Sequence, residues 1–506
     1  MKNILMIFIS VLVVSITNAQ DINDALRYSF DEIEGTARFK AMGGAFGALG
    51  GDLSAININP AGAAVFNSSQ ASLSLGVFNK DNTVGYFNGL STASNSNVDL
   101  NQTGAAFVFR NYSSNSPWKK FVLSIAYDSF NDFDDDWVAN GTNPNNSIGN
   151  YFLQYAQGQR LDEISAFPGE TISEAYSEIG SFYGFGNQQA FLGYESFIID
   201  PVDDTDENTA YTSNISGTNF NQRYVYASRG YNGKLAFNFA TQYDDKIYFG
   251  INLNSHFINY ERSTFLSENN SNASSSVTNV DFENNLLTTG SGFSFQLGTI
   301  AKLTEEFRVG FTYTSSTWFR ISEETSQYVA ATRIDNGSTI TQVINPNIIN
   351  IFPDYRLQTP SKITGSLAYV FGSKGLLSFD YSRKDFSNTK FRPTSDSYFA
   401  AQNAIISDNL DVSNSYRLGG EYRYKQLSFR GGYRFEESPY KNETTIGDLT
   451  GYSLGLGYDF GTMSIDAAFS QAERDMNYQL YSVGLTDSAN INSTFTDVVI
   501  TLAFSI

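Results

Sequence analysis

With no cysteine and one histidine, His256, this chain has little with which to do covalent chemistry. Thiol nucleophiles, Cys-ligated zinc, disulfides and histidine-based triads are excluded by that inventory. What remains are carboxylates and arginines. Arg308, Asp380, Arg417, Glu421, Arg423, Arg430, Arg434, Asp459 and Asp466 stand in stretches where every second residue is apolar, so they share the face opposite the apolar one. Arg417, Glu421, Arg423, Arg430 and Arg434 fall on two neighbouring stretches and form a basic-leaning ladder. Two roles are open to it: bracing a polar interior, or receiving a ligand carboxylate through a bidentate arginine pair. The acidic runs Asp132–Asp136 and Asp200–Glu207 lack EF-hand spacing and read as solvated loop charges or as groups bridged to surface lipid. His256, beside Phe257 and without an identifiable partner, is expected at a rim. No metal or cofactor is expected, no catalytic residue is assigned, and the chain reads as a non-enzyme.

The elements that must hold these residues are strands. Leu73, Leu75 and Val77 alternate with Ser72, Ser74 and Gly76, and the same period of two recurs to the end of the chain, where Val498, Ile500, Leu502, Phe504 and Ile506 close it. Short turns such as Asp244-Asp245 and Lys425-Gln426 alternate with long polar connections. About 14 strands result, an even number, with the short turns on one side. The fold class is all-β: an antiparallel transmembrane β-barrel with long extracellular loops and an N-terminal plug in its lumen. A soluble sandwich would show the same alternation, but with short loops at both ends.

One connection, about 132–224, has no sustained alternation, and a segment this long inside a compact domain is usually functional. Within it Ile172, Ala175, Tyr176, Ile179 and Tyr183 follow a helical stripe. That stripe either packs the loop onto the barrel rim or offers a greasy landing surface, a candidate groove of Ile172, Tyr176, Ile179 and Tyr183. At the other end of the chain, Lys2, the apolar run Ile4–Ile16 and the small residues before Gln20 read as a signal peptide over 1–19. A plug is expected over 20–66 and the barrel over 67–506. Gly43, Gly44, Gly47, Gly50 and Gly51 are too dense for an isolated helix, and Asn59-Pro60-Ala61-Gly62 is turn chemistry. The glycines lack the strand, Lys-Ser/Thr and βαβ context of a phosphate loop, so close packing accounts for them better. A formal net charge of −20 argues against nucleic acid as a partner.

The AMGGAF run at Ala41–Phe46, the NINPAG run at Asn57–Gly62, the long loop after the third strand, and Thr359-Pro360 opening a strand with Tyr369 together resemble the FadL/TodX family of outer-membrane hydrocarbon transporters, in its Bacteroidetes-type branch. The resemblance covers essentially the whole chain after the signal peptide. It implies a barrel closed by an N-terminal hatch, with Asn59, Pro60 and Ala61 in place of the family's hatch motif. It also implies a loop groove that receives an apolar ligand, a long-chain fatty acid or similar compound, and lateral release at a kinked strand, expected at the third, Phe121–Phe130. The expected partners are that hydrophobic ligand, membrane lipid, lipopolysaccharide and other outer-membrane proteins. An accessory barrel in a larger secretion or assembly complex is the alternative, with the long loop as its docking surface. A barrel esterase would need a Ser-His pair that the sequence does not offer.

Overall fold

The computed structural model describes residues 21–113 and 115–506; the expected signal peptide and Gln20 lie outside the described residues. Fourteen antiparallel strands form a closed ring. They are β1 (Gln70–Tyr86), β2 (Gly89–Arg110), β3 (Trp118–Asp132, resumed at Asp135–Asn143), β4 (Phe220–Tyr243), β5 (Ile247–Asn269), β6 (Val277–Lys302) and β7 (Phe307–Thr314, resumed at Trp318–Asp335). The ring continues with β8 (Ser338–Ile344, Tyr355–Gln358 and Lys362–Val370), β9 (Gly375–Asp385), β10 (Val412–Tyr424), β11 (Leu427–Glu436), β12 (Ile446–Asp459), β13 (Met463–Gln479) and β14 (Ser488–Ser505). Pairing of β14 with β1, from Ser505 opposite Gln70 to Asn490 opposite Gly85, closes it. The alternation decides which way each residue faces: Leu73, Leu75, Val498 and Ile500 point out and are exposed, while Ser72, Ser74, Val499 and Thr501 point in and are buried. An apolar outer band and a polar inner face are the pattern of an outer-membrane barrel.

The wall is not continuous everywhere. The β2–β3 ladder runs only from Gln102 opposite Asp128 to Arg110 opposite Lys120. Beyond it, Gly89–Leu100 of β2 pairs with β1 alone, while Asp135–Asn143 of β3 pairs with β4. The chain bends between these two parts of β3 at Phe133 and Asp134, where Phe133 N donates to Gly230 O at 2.9 Å and Gly230 N to Asp134 Oδ1 at 3.0 Å. Gly230 takes φ +122, a backbone conformation open to glycine, and this lets β4 follow the bend. No backbone ladder crosses the break: Asn97 Nδ2 reaches Asp132 Oδ2 at 2.7 Å and Asp134 Oδ2 at 3.1 Å, Asn95 Nδ2 reaches Asp136 Oδ2 at 3.0 Å, and nearer the rim Ser91 Oγ donates to Val138 O and Thr142 N to Asn88 Oδ1, where the Gly89 and Asn140 backbones come into contact.

Residues 21–66 lie inside the ring. Helix α1 (Ile22–Arg27), capped by Asp21, buries Ala25 and Leu26 with Tyr28, Phe133, Tyr260 and Phe319. Helix α2 (Ala37–Ala41) packs on β11–β14. The chain then winds back on itself so tightly that a Cβ on Gly50 (φ +61) would meet Gly62 Cα at 2.6 Å, a position no other residue could hold. At the opposite mouth the long connection contributes α3 (Gly149–Ala156), α4 (Ile172–Phe182) and α5 (Phe185–Glu195). Their apolar faces, with Phe152, Tyr176, Ile179 and Phe191, share one core with Trp137, Tyr224 and Phe282 of the wall and with Tyr481 of the connection between β13 and β14. The loop is therefore a cap folded onto the barrel rim.

Candidate functional site

The inner segment is bound to the wall by polar contacts around its whole circumference. Asp380 of β9 accepts from Phe46 N at 3.0 Å and from Gly47 N at 3.0 Å. Ser453 of β12 accepts from Gly43 N and donates to Ala41 O, and Thr501 Oγ1 of β14 accepts from Ala37 N. Asn238, Asn252 and Gln296 donate to the carbonyls of Pro60, Ile56 and Asn57. Wall and segment backbones touch where glycine leaves room: a Cβ on Gly310 would collide with the Gly47 carbonyl, and one on Gly250 with Pro60 and Ala61. Gly43, Gly44, Gly47, Gly50, Gly51, Asn59, Pro60 and Ala61 are thus gathered in one packed body; Gly51 and Asn59 are joined to it through Gly62 O and Gly47 O.

The lumen charges fall where parity places them. Arg417, Glu421 and Arg423 follow one another on the inner face of β10, opposite Arg434, Arg430 and Ser428 of β11. The ladder is less basic than its composition, because Glu421 draws three arginines to itself. Its fully buried carboxylate pairs with Arg430 Nε at 2.6 Å, Arg423 Nε at 2.7 Å and Arg38 Nε at 2.9 Å, the last from α2. Arg430 also reaches Asp466 at 2.6 Å, and Arg417 pairs with Glu436 at 3.7 Å. The first of the two roles, bracing the interior, is the one these contacts perform.

Three expectations change. The loop stripe folds as helix α4 with a Thr171/Glu174 capping box, but Tyr176 and Ile179 are buried in the cap's core, Ile172 is half-buried, and only Tyr183 is exposed. His256 lies deep in the lumen wall instead of at the rim, with Nε2 2.9 Å from Ser294 Oγ; β5 is 23 residues long, and the rim lies well past it. The Asp132–Asp136 run, expected in solvent, flanks the break in β3. Asp200–Glu207 is largely exposed, as a solvated loop should be.

Above the packed body, at the level of that break, lies a cavity of about 260 Å³. Phe30, Phe78, Phe133, Tyr226, Tyr260 and Phe495 supply apolar wall; the polar lining mixes carboxylates, among them Glu32, Glu34, Asp132, Asp134 and Asp135, with Arg27, Lys80, Arg434 and Arg474. Sequence reasoning missed Glu32 and the tyrosines. The one usable signal was the Asp-Phe-Asp-Asp-Asp run that interrupts alternation directly after the third strand.

A family model described as "Outer membrane protein transport protein (OMPP1/FadL/TodX)" matches residues 205–504. The chain belongs to this family. Among solved structures it is similar to a Pseudomonas aeruginosa FadL homologue, at 12% identity and a TM-score of 0.54, covering 94% of this chain and 99% of that one. It is also similar to the P. putida toluene transporter TodX, at 14% identity and a TM-score of 0.50, with the same coverage. Likeness at this identity speaks for the fold alone. No curated protein matches the chain in sequence. As a FadL/TodX protein it is an outer-membrane transport barrel, and the buried Asn59 can be tested for what it holds. Asn59, fully buried, donates to Gly47 O at 2.7 Å and to Thr299 O at 3.0 Å and accepts from Ala61 N at 3.1 Å, so it ties two turns of the inner segment to β6. Asn59→Ala leaves these partners unpaired and should cost about 2–3 kcal/mol. A lower thermal midpoint in non-ionic detergent is the expected reading; an unchanged one would show that the motif is not a tie.

Proposed function

We propose that this protein moves hydrophobic small molecules, long-chain fatty acids or similar apolar compounds, across the outer membrane. Residues 36–66 act as a fixed hatch that blocks the straight path, the cavity above them holds the cargo, and the break in β3 releases it sideways. One observation carries the reading: the aromatic cavity and the interrupted β2–β3 ladder are at the same height and share Asp132, Phe133 and Asp134. A packed hatch below and an interrupted wall beside a cavity leave the wall as the way out. The physics suits such cargo, since an apolar body gains from rings such as Phe78 and Phe133 what an aqueous pore would not give it.

Native mass spectrometry of protein extracted mildly from its own membrane tests this. A bound lipid-like mass, displaced by an added apolar ligand, is expected. An empty barrel carrying stoichiometric proteins would overturn the transporter in favour of a scaffold.

A further inference from the structure

The short-turn end, which faces the periplasm in an outer-membrane barrel, carries its charge unevenly. Lys119 stands at the start of β3, Lys246 lies in the β4–β5 turn and Lys302 ends β6. Two backbone hydrogen bonds set these positions side by side: Asp244 N donates to Pro117 O at 2.7 Å, and Lys302 N to Lys246 O at 2.8 Å. Arg110 and Lys120 stand opposite each other on the adjoining β2–β3 ladder. Among the described residues, none of these five cations has a carboxylate oxygen within 4.0 Å. Lys120 Nζ donates to Phe66 O at 2.6 Å, Arg110 Nη2 to Asn67 O and Lys119 Nζ to Ser116 O at 3.1 Å, while Lys302 Nζ lies 5.5 Å from the centre of the Tyr248 ring. The carboxylates nearest in the chain are Asp244 and Asp245, and Asp245 accepts from Gln242 Nε2 at 3.1 Å. Glu305 and Glu306 follow in the next turn, where Glu306 accepts from Thr304 Oγ1. In a chain of formal net charge −20, five cations beside two aspartates are a local reversal of sign.

The same corner carries the end of the apolar outer band. Phe109 and Phe121 stack at 4.9 Å, Phe121 and Phe239 at 6.1 Å, and Trp118 meets Tyr243 edge-on at 5.0 Å. Phe109, Phe121, Phe239 and Trp118 are all exposed, and Tyr112 in the β2–β3 turn is 89% exposed. Rings gathered at the end of an apolar band mark the membrane interface, so lysines within a few residues of them stand at the depth of lipid headgroups.

We infer that Lys119, Lys246 and Lys302 bind the phosphate of an anionic phospholipid in the periplasmic leaflet, its acyl chains lying along Phe121 and Phe239. Lysines without a competing carboxylate are phosphate-binding chemistry, and basic groups beside a membrane surface draw anionic lipid to it. An acidic segment of a periplasmic protein would meet the lysines but leave the outward rings unused; a phospholipid engages both. The β12–β13 turn is the contrast, since it offers Asp459 and no lysine or arginine. The inference does not depend on what the barrel carries.

Native mass spectrometry of the delipidated protein in non-ionic detergent, titrated with phosphatidylglycerol or phosphatidylcholine of the same acyl chains, tests it. Phosphatidylglycerol should bind about tenfold more tightly, and the preference should shrink as salt is raised. Lys119→Gln, Lys246→Gln and Lys302→Gln together should remove most of it. Their side chains make no ion pair, so the thermal midpoint should hold. The charge-matched set Arg383→Gln, Lys390→Gln and Lys441→Gln, exposed at the long-loop end, should keep the preference. Equal binding of the two lipids, or equal loss in both sets of variants, overturns the inference. Glycerol 3-phosphate binding as tightly as phosphatidylglycerol would overturn the lipid as occupant in favour of a soluble anion.

Discussion

Cells expressing Asn97→Cys together with Asp132→Cys should stop taking up an apolar probe once the two thiols are bridged, and should recover it on reduction. The native side chains at these positions meet at 2.7 Å across the break, where no backbone ladder joins β2 to β3. A short bis-methanethiosulfonate bridge would turn a contact that can part into a covalent one. Because the chain has no cysteine, the two thiols would be the only ones present. If cargo leaves through this gap, uptake should fall by about tenfold or more, since a blocked conformational step limits the whole rate. The control is Asn477→Cys with Asn490→Cys, whose side chains meet at 3.1 Å on the unbroken β13–β14 seam. Bridging there should leave uptake alone. Equal uptake with the break bridged would rule out lateral release at β3.

The second large effect is expected at Glu421. Its carboxylate has no exposed surface and is the common partner of Arg38, Arg423 and Arg430. Glu421→Ala would leave buried guanidinium groups without a counter-charge, a change that typically costs about 3–5 kcal/mol. Arg423 contributes little to that figure because 45% of its side chain is exposed. The β10–β11 ladder does not depend on the residue, so the barrel should still form. What gives way is the hold on α2 through Arg38. A rise in ion leak through planar bilayers and a lower thermal midpoint are expected, with Arg423→Ala close to wild type in both. A Glu421→Ala protein as tight and as stable as wild type would mean that the other contacts of the hatch suffice.

The wall was legible because a strand with lipid on one side and a lumen on the other has a strict period of two. Leu418 and Tyr422 facing out fix Arg417, Glu421 and Arg423 facing in before any coordinates are seen. The packed hatch was legible for a different reason: five glycines in nine residues have no use except close approach of backbones. The end of β3 was not legible. A run of aspartates after an alternating stretch looks alike whether the strand stops in solvent or bends and resumes, and it is the pairing of Asp135–Asn143 with β4, a long-range contact, that decides. Glu32 left no trace because residues 28–35 follow neither period. The α4 stripe gave the helix, yet periodicity alone does not say whether an apolar face meets the loop's own core or a ligand.

The cap over the mouth also ties the order of assembly to the topology. Its apolar core joins loop residues such as Phe152 and Phe191 to Val84 and Tyr86 of the first strand and to Ala489 and Ile491 of the last. Those two strands are far apart in sequence and become neighbours only when the ring shuts. The loop therefore has no complete surface to fold against until the final seam has zipped, and its folding is expected to follow closure of the ring. A sheet stalled one strand short would carry an unfolded loop on its outer side, so the state of that loop tells closed barrels from unfinished ones.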